Sequence, residues 1–307
     1  MHAAVVTDFA HAPRFAPFTD PVATGPDELI VEVLASALHP RVRSQADGGH
    51  YTATGTLPMV PGVDGVGRDS DGHLRYFVVE EGAMAERVRI DRRASVVLPE
   101  GLDPVVVAAA MNPAMSSWIA LRRRTELPAG AHVAVLGAAG SAGRLALEIA
   151  RHLGAGRVTA VARDTARFAE LRALGADEVL TFADAGRASD ADLMLDYVWG
   201  EPAATAMGAI VQQRADRGRP LTWVQIGSIA GADAPIPSAA LRSSALSIVG
   251  SGQGSVSTRD IVAELPALAE FVASGTVRVN ARAVPLAEVA EAWAPAPAIP
   301  ERVVFVP

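Results

Sequence analysis

The pattern of hydrophobic and polar positions changes near Pro104. Before that residue, short runs of β-branched and apolar residues are separated by turn-forming segments such as 70–72, a pattern that predicts β-strands. These strands are predicted at 3–6, 28–34, 74–79 and 85–90. Beyond Pro104 the spacing of apolar residues becomes typical of helices, and it predicts helices over 104–111 and 114–124.

From residue 131 onwards the pattern predicts strands and helices in alternation. The strands are predicted at 133–136, 158–162, 178–181, 193–197, 222–226 and 247–250, and helices begin near Ser141, Thr165, Pro202 and Pro237. Such alternation is typical of a parallel, doubly wound sheet with helices on both faces. The prediction is completed by a helix over 259–274, strands over 277–284 and 302–306 that are candidates to return to the first domain, and a short turn over 294–300.

A glycine-rich segment follows the first strand of this alternating region. Gly137, Gly140 and Gly143 are spaced three apart, and a helical pattern begins at once. Glycine permits a tight turn and a close approach to phosphates, while a helix N-terminus offers free N–H groups to an anion. Since a second strand follows, the spacing is that of a βαβ unit and predicts a site for a dinucleotide pyrophosphate. Further contacts are predicted at Ala139, Ser141 and Ala142.

The residues after the second strand favour NADPH over NADH. An acidic residue usually ends this strand in NAD-binding domains, whereas here Ala162 holds the position and Arg163 follows. Arginine can bond a 2′-phosphate through paired, charge-assisted hydrogen bonds, and Arg167 offers a second contact one turn later. The alternative is that both arginines face solvent and Asp164 binds the ribose. Other cofactor contacts are predicted at Val198, Gly227, Ser228 and Arg302, although a surface role for Arg302 stays open.

Composition restricts the chemistry. Of the 307 residues, 50% are hydrophobic and 20% are charged, which allows a packed core, and the net charge of −7 gives no support to nucleic-acid binding. The chain has no lysine and no cysteine, so Schiff-base catalysis, disulfides and cysteine-ligated zinc are excluded. Neither a signal-peptide pattern nor a run of ~20 apolar residues is evident, so a cytoplasmic location without membrane association is expected.

Several motifs in a fixed order give the chain a family resemblance. They occupy 57–67, 82–86, 137–143, 174–179, 192–200, 225–228 and 301–305. With these motifs the chain resembles the medium-chain dehydrogenase/reductase superfamily, in its zinc-free, quinone-oxidoreductase-like branch. The resemblance implies an α/β fold, in which a GroES-like β-barrel domain (1–113 and 279–307) receives a doubly wound parallel Rossmann domain (114–278), with the active site in the cleft. It also implies a homodimer joined near 247–250.

The zinc ligands of the family's alcohol dehydrogenases are replaced in this chain. His39 stands where those enzymes have a cysteine, and Val63 stands where they have a metal-binding histidine. The lobe with four cysteines is also missing. The resemblance therefore implies no metal site, although a different site built from His39, His50 and Asp64 stays open.

Without zinc to polarise a carbonyl, the small-molecule acceptor must already be electron-poor. This favours NADPH-dependent reduction of quinones or α,β-unsaturated carbonyls. Tyr51 and His39 are the catalytic candidates, as donors of a proton or hydrogen bond, unless Tyr51 packs over the cofactor and His39 is structural. Substrate contacts are predicted at Asp64, Asn112 and Ser116, of which the last two equally suit helix caps. The alternative function is an NADPH-binding sensor or structural protein with little turnover.

Overall fold

The computed structural model describes residues 1–53, 55–294 and 301–307, so most of the predicted turn over 294–300 lies outside the described residues. The chain forms two compact units, 1–112 with 265–307 and 113–264. We call the first the mixed-sheet unit and the second the parallel-sheet unit. The domain boundaries at 113/114 and 278/279 stay predictions.

The elements are given in chain order. The strands are β1 (His2–Val5), β2 (Arg14–Pro17), β3 (Glu28–Ala37), β4 (Asp64–Arg68), β5 (Leu74–Val78), β6 (Arg87–Asp91), β7 (Ser95–Val97), β8 (His132–Leu136), β9 (Arg157–Val161), β10 (Glu178–Leu180), β11 (Leu193–Asp196), β12 (Leu221–Gln225), β13 (Leu246–Gly250), β14 (Ala281–Pro285) and β15 (Arg302–Val306). The helices are α1 (Pro40–Ala46), α2 (Pro104–Ile119), α3 (Ser141–His152), α4 (Phe168–Ala173), α5 (Gly200–Gln213), α6 (Ser238–Arg242), α7 (Thr258–Ala273) and α8 (Val289–Ala292).

The parallel-sheet unit has a six-stranded sheet in the order β10-β9-β8-β11-β12-β13. All of its neighbouring strands run parallel. The strand order reverses between β8 and β11, which makes their carboxyl ends the switch point where ligands bind in such sheets. Met194 and Trp223 of the sheet are fully buried and share an apolar core with Met207 and Ile210 of α5. The predicted parallel sheet is confirmed.

The mixed-sheet unit is formed by the path β14-β15-β3-β4-β5-β7, with β6 also paired to β3, while β1 and β2 form a separate ribbon. Strands β14 and β15 run parallel, and the other neighbours run antiparallel. Val304 pairs with Ala37 and Phe305 with Ser36, so the last strand returns to the first part of the chain. The predicted two-domain α/β class is therefore confirmed.

Some strand predictions in this unit are wrong. The pattern does not indicate β2, β4 or β7, and β14 begins at Ala281 rather than at residue 277. Strand β4 contains Gly65 and Gly67, and glycine lowers strand propensity. The packing nevertheless requires glycine, because a Cβ on Gly67 would lie 2.3 Å from the carbonyl oxygen of Glu32 on β3.

Helix α2 corrects two further predictions. The segments predicted as separate helices form one helix that continues as a π-helical turn over Ala120–Arg124, with Pro113 inside it. Proline lacks an N–H donor and usually ends a helix, which is why the pattern predicts two. The sequence predicts no segment long and apolar enough to span a membrane, but the 21 residues from Pro104 to Arg124 meet that criterion by length and composition. Of the most apolar part of this segment, 67% is buried within the protein, as in a core helix.

Candidate functional site

The glycine loop, which we define as residues 137–143, connects β8 to α3 in the parallel-sheet unit. Gly137 has φ of 86°, in the left-handed region that glycine adopts without strain. A Cβ on Gly143 would lie 2.4 Å from the carbonyl oxygen of Gly137, so only glycine lets the helix approach the loop this closely. No side chain of the described residues caps the first turn of α3, so the N–H groups of Ser141 and Ala142 point at the space before the helix. The loop is therefore shaped as an anion cradle.

The predicted phosphate contacts, Arg163 and Arg167, follow β9 and differ in their surroundings. Arg163 is exposed. Arg167 donates from Nη1 to the carbonyl oxygen of Ala139 in the glycine loop at 2.8 Å, and from Nε to Glu170 at 2.9 Å. Asp164 accepts from the N–H of Ala166 at 3.0 Å and caps a short 3₁₀ turn. The chain thus brings Arg167 and the glycine loop together and leaves Arg163 open to solvent.

Glu170 is a residue of this region that the sequence analysis did not single out. It also pairs with Arg144 of α3, with Nη2 2.5 Å from its carboxylate. The hydrogen bond from Arg167, more than any other contact, lowers the pKa of Glu170. This carboxylate therefore ties both arginines into one charged network beside the cradle.

A buried carboxylate shapes the segment after β11. Asp196 has no exposed surface and accepts from the N–H groups of Val198 at 2.7 Å and Trp199 at 2.9 Å, and from the indole of Trp223 at 2.9 Å. Burial raises the pKa of Asp196, although these bonds oppose the shift. Trp199 has φ of 54° and, among the described residues, is alone among non-glycine residues in having positive φ. The loop carrying the predicted contact Val198 is thus held in a strained conformation, as is common at functional sites.

Tyr197 lies next to these residues, beside the switch point. Its hydroxyl is 3.0 Å from Oγ of Ser116, and burial raises its pKa to about 12. A Cβ on Gly227 would lie 2.7 Å from the carbonyl oxygen of Tyr197, so the predicted contact Gly227 is adjacent to it, and Ser228 that follows is exposed. From the sequence, Tyr197 is predicted only as the end of a strand. Its position at the carboxyl end of a central parallel strand was the available signal.

In the mixed-sheet unit, polar side chains surround Asp64, the first residue of β4; we call them the Asp64 cluster. Asp64 has no exposed surface and His39 is 4% exposed. Nε2 of His39 lies 2.9 Å from Oδ1 of Asp64, the hydroxyl of Tyr76 donates to Oδ2 at 3.0 Å, and Asn112 donates to Oδ1 at 3.5 Å. Burial, reinforced by Asp64, raises the pKa of Tyr76 well above its usual range, so this phenol stays a donor.

The structure brings the predicted residues His39, Asp64 and Asn112 together. Asn112 and Ser116 both lie in the interior of α2, so their interpretation as helix caps is wrong. Nδ1 of His39 is buried and has no hydrogen-bond partner within the described ranges. Tyr51 is 72% exposed and stacks on the ring of His50 with centroids 4.4 Å apart.

The alternative metal site receives no support from this geometry. Among the described residues, the group that reaches metal-ligand spacing is Asp69, Asp71 and His73, in the turn between β4 and β5. Asp69 already accepts from Arg75 and from backbone N–H groups of its own turn. His39, His50 and Asp64 do not form such a group.

Two arginines adjoin the Asp64 cluster. Arg302, predicted as a cofactor contact, donates from Nη1 to the carbonyl oxygen of Leu38 at 3.4 Å. Arg41 lies in the first turn of α1 and was not singled out in the sequence analysis. Burial lowers the pKa of both guanidinium groups, and the charge of Asp64 partly offsets the shift in each. Asp64 is therefore close enough to interact electrostatically with both.

The chain combines two features. One is a parallel sheet with an anion cradle at its switch point, and the other is a mixed sheet with a buried histidine–carboxylate pair. This combination is typical of a nucleotide-dependent oxidoreductase. No protein-family model matches the sequence. The protein named probable NADPH-dependent quinone reductase tdiC, from Emericella nidulans, is 33% identical over the full length of both chains. NADPH-dependent alkenal/one oxidoreductase of Arabidopsis thaliana is 29% identical over 51% of this chain and 45% of its own.

Solved structures agree with these relatives. The quinone oxidoreductase from Thermus thermophilus, described also in complex with NADPH, aligns with a TM-score of 0.80 and 27% identity over all of both chains. That of Pseudomonas syringae aligns with a TM-score of 0.83 and, at 20% identity, shows the fold alone. The chain belongs to the quinone-oxidoreductase-like branch of the medium-chain dehydrogenase/reductase superfamily, as its motifs predict.

Proposed function

We propose that this chain is an NADPH-dependent oxidoreductase that reduces quinones or α,β-unsaturated carbonyls by hydride transfer. The observation that carries this function is the glycine loop at the switch point, with Arg167 hydrogen-bonded into it. The names of the relatives support the same enzyme class, cofactor and small-molecule substrates.

The residues fit the cofactor. The gap between Gly143 and Gly137, which a Cβ would fill, and the uncapped first turn of α3 suit a pyrophosphate. The loop residues that would hold it are Gly137, Ala139, Gly140, Ser141, Ala142 and Gly143. Arg163 and Arg167 would hold the 2′-phosphate, while Val198, Gly227 and Ser228 would adjoin the nicotinamide ribose. When bound, NADPH supplies the hydride from C4 of its nicotinamide.

His39 is our candidate for the proton that the acceptor oxygen needs. Nε2–H donates to Asp64, so the protonated ring would give up its second proton from Nδ1, the buried atom without a partner. Reduction adds one hydride and this proton to the acceptor, and a neutral imidazole remains. The tautomer follows from the carboxylate, as in other histidine–carboxylate pairs.

Asp64 acts behind His39 in this scheme rather than against the substrate. Both of its oxygens already accept hydrogen bonds from side chains, and it has no exposed surface. Asp64 is thus a positioning residue, supported by Tyr76 and Asn112. Tyr51 stays a second candidate donor, and Ser116, bonded to Tyr197, stays a candidate substrate contact.

We also propose a homodimer joined through β13, together with a cytoplasmic location without nucleic-acid or membrane association. β13 is the last strand of the parallel sheet, and its exposed side is a natural surface for pairing with a second copy. Arg124 donates from Nε to the carbonyl oxygen of Gly250 at 2.6 Å and marks the end of that edge. The acidic balance of −7 charges disfavours nucleic acid.

The test is a panel of quinones and enones with NADPH or NADH, followed by loss of nicotinamide absorbance. We expect oxidation to accelerate with several acceptors, and to be faster with NADPH. Tight NADPH binding without acceleration by any acceptor would support the alternative, an NADPH-binding sensor or structural protein.

A further inference from the structure

Two half-buried arginines beside the Asp64 cluster, Arg41 and Arg302, have no ion-pair partner of their own among the described residues. Nε of Arg41 is inaccessible to solvent and has no hydrogen-bond partner within the described part of the chain. Among the described residues, the side chain of Arg302 makes one hydrogen bond, of 3.4 Å to the carbonyl oxygen of Leu38, and its buried Nε has no partner. A partly desolvated guanidinium without a partner is costly, so such groups point to a ligand.

The charges around these arginines do not balance. Asp64 is the anionic group close to both, and its oxygens are used by His39, Tyr76 and Asn112. The other titratable groups near Arg41 are Tyr51, Tyr76 and His50, none of which supplies a negative charge at neutral pH. Within the described part of the chain, two guanidinium groups therefore adjoin one carboxylate that is already paired with His39, so positive charge remains uncompensated.

The phosphates of the proposed cofactor do not supply the missing negative charge, because our proposal assigns them to the glycine loop, Arg163 and Arg167. Arg302, which the sequence predicts as a cofactor contact, is thereby left for another anion. The oxygen that is reduced receives a proton from His39, so it ends neutral and requires no guanidinium. The fork of an arginine matches a carboxylate, which accepts two parallel hydrogen bonds from it. Arg302 contacts the carbonyl of Leu38, the residue before His39, and Arg41 follows two residues after His39, so a carboxylate held here would lie close to the proton donor.

We propose that the natural acceptor of this enzyme carries a permanent carboxylate, which Arg41 binds with the help of Arg302. This inference rests on the proposed function and names its substrate class: anionic quinones or enones.

The experiment compares one quinone bearing a side-chain carboxylate with its methyl ester, because the two differ in charge and little in reactivity. The wild type should prefer the acid. Arg41→Gln should lower kcat/KM for the acid by roughly ten- to hundredfold and for the ester less than about twofold, the range expected for a charged hydrogen-bonded pair. Arg41→Lys, which keeps the charge but loses the fork, should give an intermediate loss. Arg14→Gln, at an exposed position on β2, is the matched control.

Calorimetry provides a readout without turnover: the acid should bind the enzyme loaded with NADP⁺, and Arg41→Gln should weaken this binding. Equal use of acid and ester by the wild type, or equal losses for both in Arg41→Gln, would overturn the inference. Normal reduction of the ester in that case leaves the proposed function intact. Failure to reduce either compound, or any other acceptor, would instead reject the proposed function.

Discussion

The glycine loop and the Asp64 cluster are built in opposite ways. The loop is a single stretch of seven residues whose proposed role rests on its backbone, because a Cβ on Gly137 or Gly143 would lie within 3.0 Å of a neighbouring atom. The cluster collects side chains from the start of α1, from β4 and β5 and from α2, which are far apart in sequence. In our proposal, local backbone geometry therefore serves cofactor binding, whereas tertiary packing places the candidate proton donor.

This difference separates the expected consequences of mutation. Damage to the loop should weaken binding of the nucleotide and leave the Asp64 cluster unchanged. Damage to the cluster should slow turnover and leave nucleotide affinity unchanged. A substitution that moved both properties equally would show that the two regions are not independent.

Gly143→Val should have the largest effect. Its Cβ would lie 2.4 Å from the carbonyl oxygen of Gly137, so the cradle must open, and NADPH affinity should fall at least about 100-fold, or about 2.8 kcal/mol. Fluorescence titration with NADPH measures the change. Gly208→Ala in α5, where a Cβ meets nothing within 4 Å, is the control and should bind normally. Unchanged affinity in Gly143→Val would remove the loop from the site.

Asp64→Asn should lower kcat about 100-fold or more with NADPH affinity preserved, because the amide no longer stabilises a protonated His39. Steady-state kinetics across pH, with exposed Asp71→Asn as the control, provide the comparison. A similar profile in both variants would argue that His39 is structural.

The two arginines after β9 should differ. Arg163→Ala should weaken the binding of NADPH by about ten- to hundredfold and leave the affinity for NADH unchanged, since only NADPH has the 2′-phosphate. Arg167→Ala should weaken the binding of both nucleotides, because Arg167 also donates a hydrogen bond to the carbonyl oxygen of Ala139 in the glycine loop. The dissociation constants of both variants for NADPH and NADH measure this difference. Equal effects of Arg163→Ala on the two would show that Arg163 does not read the phosphate.

Glu264 lies outside the glycine loop and the Asp64 cluster, so its substitution should change the stability of the fold and neither nucleotide affinity nor turnover. Its buried carboxylate accepts from Trp118 at 2.8 Å and Arg122 at 2.6 Å, and it pairs with Arg123. Burial alone would raise its pKa, but these contacts prevail and hold it below the ordinary value of 4.5. A carboxyl with a lowered pKa stabilises the fold above that value and loses this contribution as the pH falls through the folded-state pKa.

Glu264→Gln should therefore cost about 1–3 kcal/mol at pH 7 and flatten the fall in stability on acidification. Urea denaturation at several pH values measures this, with exposed Glu126→Gln as the control. Nucleotide affinity and turnover of the folded protein should not change. A stability equal to that of the control would contradict the account of this ion pair.

Tyr51→Phe should have the smallest effect, a loss in turnover of about two- to fivefold without change in NADPH affinity, as for an exposed hydrogen-bond donor. Turnover of the His50→Phe variant tests whether the stacked ring matters instead. A hundredfold loss in Tyr51→Phe would make Tyr51 rather than His39 the principal donor.

The sequence by itself determined the alternating part of the fold and the position of the glycine loop. Strands β8 and β11 consist mainly of apolar residues, and Gly137, Gly140 and Gly143 lie within seven consecutive residues, so both features are encoded over short distances. It did not indicate β4, where close packing demands glycines that mimic a turn, or the passage of α2 through Pro113.

Only the tertiary structure decided how the polar residues combine. The sequence predicts that Asp64 contacts the substrate, yet the fold surrounds it with donors from separate elements and, among the described residues, leaves Nε of Arg41 without a hydrogen-bond partner. A backbone turn is specified by neighbouring residues, whereas a buried charge depends on groups that meet through long-range packing. For that reason the cofactor could be inferred from one stretch of chain, and the chemistry of the acceptor could not.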